Sequence, residues 1–76
     1  MSEPVILDTK GMRCPLPVLK ARKAMRDVPE GGVLRVLATD PGAVKDFEHF
    51  CQTTGHQLLD WREESGTLIF EIRKVA

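Results

Sequence analysis

Glycine and proline punctuation is what most constrains this chain. Gly11, the Pro29-Glu30-Gly31-Gly32 cluster, Asp40-Pro41, Gly55 and Ser65-Gly66 cut it into pieces that are each the size of one strand or one helix. Between them hydrophobic periodicity switches between two registers. Val5-Ile6-Leu7 is a short apolar run ending at Asp8, suited to a buried strand. Val18, Ala21, Met25 and Val28 recur at helical spacing, with Lys20, Arg22, Lys23 and Arg26 on the opposite face. Pro15 and Pro17 fit the first turn of that helix, where backbone N–H groups lack intrahelical partners.

Val33 to Ala38 is β-branched and apolar around a lone Arg35, the clearest strand in the chain. Asp40-Pro41 reads as an N-cap followed by a first helical residue. Val44, Phe47 and Cys51 then share a stripe, with Ala43 and Phe50 beside it, and Gly55 is the helix stop. Leu58, Leu59 and Trp61 mark a third strand, with Trp61 and Arg62 read as packing and edge solubility. After the Ser65-Gly66 turn, Leu68, Phe70 and Ile72 alternate in a fourth, with Ile69 on the opposite face.

The order is βαβαββ. Strand–helix–strand units favour parallel strands with right-handed crossovers, and the last two strands favour a hairpin. The expected fold is α/β in content: an α+β two-layer sandwich, with two helices packed on one face of a mixed four-stranded sheet. Residues 1–76 are expected to form a single domain, since no linker, repeat or low-complexity tract interrupts them.

Composition excludes several classes. Eleven Lys and Arg balance eleven Asp and Glu, so no global charge marks a nucleic-acid or membrane binder. The apolar runs are too short to cross a bilayer, and Met1-Ser2-Glu3-Pro4 opens no export signal, so a cytoplasmic location is expected. Two cysteines make neither a disulfide framework nor a four-cysteine zinc site.

The sharp chemistry lies in Arg13-Cys14-Pro15-Leu16-Pro17. Cys14 falls at or next to a helix N-cap, where unpaired N–H groups and the dipole favour negative charge. Arg13 is adjacent and Lys20 about one turn further on, so the thiol pKa is expected to fall and the thiolate to react. The plain alternative is an inert buried cysteine that happens to precede a helix. A lone thiol between prolines suggests nucleophilic sulfur chemistry, and no Cys-x-x-Cys partner supports a dithiol.

Leu7-Asp8, Gly11, Arg13-Cys14-Pro15-Leu16-Pro17, Ala38-Thr39-Asp40-Pro41 and Asp46-Phe47 together resemble the TusA/SirA family of small sulfur-carrier proteins, over nearly the whole chain. The resemblance implies sheet order 1-2-4-3 and a sulfurtransferase whose motif cysteine, Cys14, accepts sulfane sulfur as a persulfide. Arg13, Pro15 and Pro17 carry over as motif support. The implied donors are a cysteine desulfurase or a rhodanese-type protein, and the implied recipient is a downstream acceptor protein. Thiolation of the tRNA wobble uridine, sulfur oxidation and supply to molybdenum-cofactor enzymes are the pathways it suggests. A non-catalytic regulatory or interaction module on the same fold is the alternative.

The remaining candidates read more simply. Cys51 on the apolar stripe is a core residue; a bridge to Cys14 would have to span roughly 15 Å of helix, against a limit of about 7 Å between Cα atoms. His49, Cys51 and His56 do not converge as metal ligands, and no metal or cofactor is expected. His56 is expected to meet the carbonyls at the helix end. Asp8 is a candidate partner for Arg13 or Lys10, and Asp46 is favourable with the dipole of its helix. Residues 9–26 hold Lys10, Arg13, Lys20, Arg22, Lys23 and Arg26 and no acid. That face is either simply solvated or a docking surface, with Lys20, Arg22, Lys23 and Arg26 as candidates. A protein partner is favoured over direct tRNA binding because aromatics are few, and a monomer is the expected state.

Overall fold

The computed structural model describes residues 3–75. Strand β1 (Val5–Thr9) leads into helix α1 (Leu16–Ala24), which tightens into a single 3-10 turn at Met25–Asp27. Strand β2 (Val33–Ala38), helix α2 (Ala43–Thr54) and the hairpin β3 (Gln57–Glu64) and β4 (Thr67–Arg73) follow. The four strands form one sheet in the order β1-β2-β4-β3. β1 and β2 are parallel, whereas β4 runs antiparallel to both β2 and β3. This is the expected mixed sheet in the expected order.

Strand alternation separates the two faces. Leu34, Val36 and Ala38 of β2, and Leu68, Phe70 and Ile72 of β4, point to the helices and are buried. α1 supplies Ala21, the turn after it Met25, and α2 supplies Phe47, Phe50 and Cys51. The centre of the core is aromatic: the Phe47 and Phe70 rings lie 4.6 Å apart, and Phe50 meets Phe47 edge-on at 6.3 Å. The other face is mixed: Ile6, Leu37 and Ile69 share it with a group of ion pairs. Arg35 pairs with Glu71 at 3.2 Å, and Arg62 reaches Asp60, Glu64 and Glu71.

Turn chemistry follows the glycines at two decisive places. Gly55 ends α2 with φ 86° and its N–H on the Cys51 carbonyl, a left-handed stop that a side chain would strain. Ser65 and Gly66 both take positive φ (52° and 82°), the turn that matches the twist of the β3–β4 hairpin.

Three details differ from expectation. α2 begins at Ala43 with Gly42 as its N-cap, and Asp40 does not cap it. The Asp40 carboxylate instead accepts the N–H groups of Gly42 and Cys14. α1 starts at Leu16, so Pro15 is the N-cap and only Pro17 lies within the first turn. Cys14 is therefore one residue outside the cap. The register of β3 shifts between Leu58 and Asp60, which leaves Leu59 48% exposed while Leu58 still packs on the core.

Candidate functional site

Parallel pairing puts the ends of β1 and β2 side by side, with Thr9 opposite Ala38. The loops that follow, 10–15 and 39–42, thus emerge together. They are stitched to each other. The Thr9 hydroxyl donates to the Leu37 carbonyl at 2.6 Å, and the Gly11 N–H donates to Thr39 Oγ1 at 2.9 Å. Gly11 takes φ 82°, as its turn requires.

Cys14 sits on the first of these loops and is exposed. Its backbone N–H donates to Asp40 Oδ2 at 2.6 Å, while Asp40 Oδ1 accepts the Gly42 N–H at 3.0 Å. One carboxylate therefore fixes both loops. The Asp46 N–H bonds the Gly42 carbonyl at 3.3 Å, which brings the first turns of α2 up to the same place. There the Cys14 thiol donates a hydrogen bond to Asp46 Oδ2. The Cys14–Pro15 peptide is cis.

The electrostatics reverse the expectation for this thiol. Its pKa is raised from the ordinary value, first by the hydrogen bond to Asp46, then by loss of solvent, then by the negative charges of Asp46 and Asp40. The helix start contributes little because Cys14 precedes the cap. Pro15 and Pro17 have no N–H, and the Leu16 N–H is taken by the Arg13 carbonyl at 2.8 Å. Arg13 is exposed and its charge acts on Asp40, whose carboxyl is held below its usual range chiefly by the N–H groups of Cys14 and Gly42. The basic residues expected to ionise the thiol therefore do not oppose the two carboxylates that hold it.

Pro15 lines a groove between the helices with Val18, Arg22, Asp46, His49 and Phe50. Pro17 is buried beneath the loop. Lys20, Arg22, Lys23 and Arg26 are all exposed along α1 and its 3-10 extension. Arg22 is the exception to a freely solvated face: its guanidinium lies 5.3 Å from the centre of the Phe50 ring. Asp8 pairs with Lys10 rather than Arg13, at 3.9 Å and in the open.

Cys51 is in the core, 7% exposed, and burial pushes its thiol up to about 11. Both cysteines are free. His56 does not meet the carbonyls ending α2. Its Nδ1 accepts the Val75 N–H at 3.3 Å, because the end of β4 passes beside it. Among the described residues, no cluster of His, Cys, Asp and Glu suits a metal ion, and no helix is long and apolar enough to cross a membrane.

Asp40 and Asp46 are the site residues that sequence reasoning misses. Asp46 does lie in the first turn of α2, as expected, whereas Asp40 is not the cap of that helix; for neither does local sequence reveal the contact with Cys14. The available signal was topological: parallel β1 and β2 bring the start of the second helix to the loop that carries Cys14.

The sequence pattern of the family described as "Sulfurtransferase TusA" matches residues 5–74. The chain is 48% identical to the sulfur carrier protein TusA of Allochromatium vinosum over 90% of both chains. It is 45% identical to that of Pseudomonas paraeruginosa over 100% of this chain and 99% of the relative. A solved SirA-like protein from Desulfitobacterium hafniense has the same fold, with a TM-score of 0.81 at 24% identity, covering 95% of this chain and 99% of that one. With the match running from β1 to just past β4, the chain belongs to the sulfurtransferase TusA family.

Proposed function

We propose that this protein is a cytoplasmic sulfur carrier that takes up sulfane sulfur as a persulfide on Cys14 and hands it to an acceptor protein. The observation that carries this reading is an exposed thiol on a loop whose backbone is fixed by Asp40. Two protein active sites must meet for transfer between macromolecules, so the sulfur has to be reachable and its position defined. Family membership and relatives named as sulfur carriers support the same reading.

In the uptake step, Cys14 Sγ attacks the outer sulfur of a donor persulfide on a cysteine desulfurase or rhodanese-type protein. The new Sγ–S bond forms as the donor's S–S bond breaks, and its electron pair leaves on the donor thiolate. In delivery, an acceptor thiolate attacks the outer sulfur and Cys14 is regenerated. No net oxidant or reductant is consumed. The raised thiol pKa means that the unloaded carrier is not activated in advance; the thiolate is the minor form. Lys20, Arg22 and Lys23 on α1 and Arg26 in its 3-10 extension form a positive face suited to steering an acidic surface of a protein partner.

The test is incubation with a cysteine desulfurase and labelled cysteine. Cys14 should gain about 32 Da, one sulfur atom, by the exchange chemistry above. Cys14→Ser should take up none. Label retained in the serine variant overturns the assignment, and a module that merely binds partners would bind them equally well without the thiol.

A further inference from the structure

Sulfur transfer by itself needs a thiol that can be reached; it does not call for a carboxylate bonded to that thiol. Asp46 Oδ2 accepts the Cys14 thiol proton. Asp40, in the loop after β2, adds a second negative charge while holding the Cys14 N–H. Among the described residues, the charged or titratable groups beside this point include Arg13 on the same loop, Arg22 on α1 and His49 on α2. Arg13 acts on Asp40, and Arg22 leans over Phe50.

A thiol and a persulfide meet this arrangement differently. The thiol has a proton to give and is attracted to Asp46. A persulfide is more acidic than its parent thiol, so its terminal sulfur is anionic at neutral pH and has no proton to offer. It therefore faces like charge from Asp46 and Asp40. We propose that Asp46 sets the bias of the carrier: it holds unloaded Cys14 as a hydrogen-bonded thiol and repels the anionic outer sulfur of loaded Cys14, so that sulfur is given up more readily than it is taken. This rests on the carrier reading above and adds to it the direction of transfer.

Cys14–SH and R–S–S⁻ give Cys14–S–S⁻ and R–SH. The donor S–S bond breaks, the Sγ–S bond forms, and the thiol proton passes by way of Asp46 or solvent to the departing donor sulfur. Asp46 stabilises the left side through the hydrogen bond and destabilises the right side through charge. Repulsion also turns the outer sulfur away from α2 towards solvent, where an acceptor reaches it.

The experiment has two arms, with Asp46→Asn as the nearly isosteric variant and Asp46→Ser as the second. The first arm follows alkylation of unloaded Cys14 by iodoacetamide from pH 6 to pH 10, read on the Cys14 peptide by mass spectrometry. Both variants should show a lower midpoint and, at pH 7, an alkylation rate at least about threefold higher, since each unit of pKa is tenfold in thiolate. Profiles that superimpose on the parent protein, or move upward, overturn the proposal. The second arm equilibrates each protein with glutathione persulfide and glutathione. The variants should hold several times more sulfur at a given ratio; equal loading overturns the bias. The first arm uses no sulfur donor, so it stands or falls independently of whether Cys14 is a carrier at all.

Discussion

Cys14 and Asp40 show how much one carboxylate can organise. Asp40 accepts N–H groups from two loops, and both contacts require its charged form for full strength. Its pKa is depressed in the folded protein, so the associated stabilisation is present above the unfolded value of about 3.9 and is lost as pH falls through the lower folded value. An NMR titration should therefore show the Cys14 amide resonance moving with a midpoint below about 3.9. A midpoint at or above that value would mean that Asp40 does not hold the loop. The thiol itself illustrates the limit of reading charge from neighbours in sequence. Arg13 and the helix start were both legible, yet neither governs Sγ, because the dominant partner arrives from residue 46 through the fold.

The secondary elements were more legible than the contacts between them. The stripe Val44, Phe47 and Cys51 identified the buried face of α2, and Gly55 its end, since both depend on local periodicity and backbone conformation. The start of α2 is less legible, because Asp40-Pro41 is an equally good signal for a turn and the helix begins at Ala43. Phe47 is fully buried between the second helix and β4, so Phe47→Ala should cost about 3–5 kcal/mol. Thermal or denaturant unfolding would measure this, and a loss below about 1 kcal/mol would contradict its place in the core. On α1 the positive side chains differ in their surroundings. Arg22 shields Phe50, so reversing its charge would also disturb packing. Lys23→Glu with Arg26→Glu is the cleaner probe of docking, since both residues are exposed. The double variant should slow sulfur uptake at low ionic strength, with the deficit shrinking as salt is added. Unchanged rates at low salt would remove the steering role.

At the scale of the molecule, zero formal charge conceals a polarised surface: a basic first helix beside a pair of carboxylates at Cys14. The βαβαββ two-layer architecture is legible in the alternation of periodicities and the handedness of parallel crossovers, whereas the strand order β1-β2-β4-β3 is legible only through the family resemblance. Nothing comparably strict links Cys14 to Asp46, because a tertiary contact between a loop and the first turn of α2 leaves no period in the sequence. That same tertiary origin has a practical consequence. The carboxylates reach the thiol from 26 and 32 residues away, so the restraint on its reactivity exists only once β1 and β2 have paired. A chain that has lost this pairing carries an ordinary cysteine, more easily ionised than the native one, and so betrays its own unfolding by the speed at which electrophiles consume it.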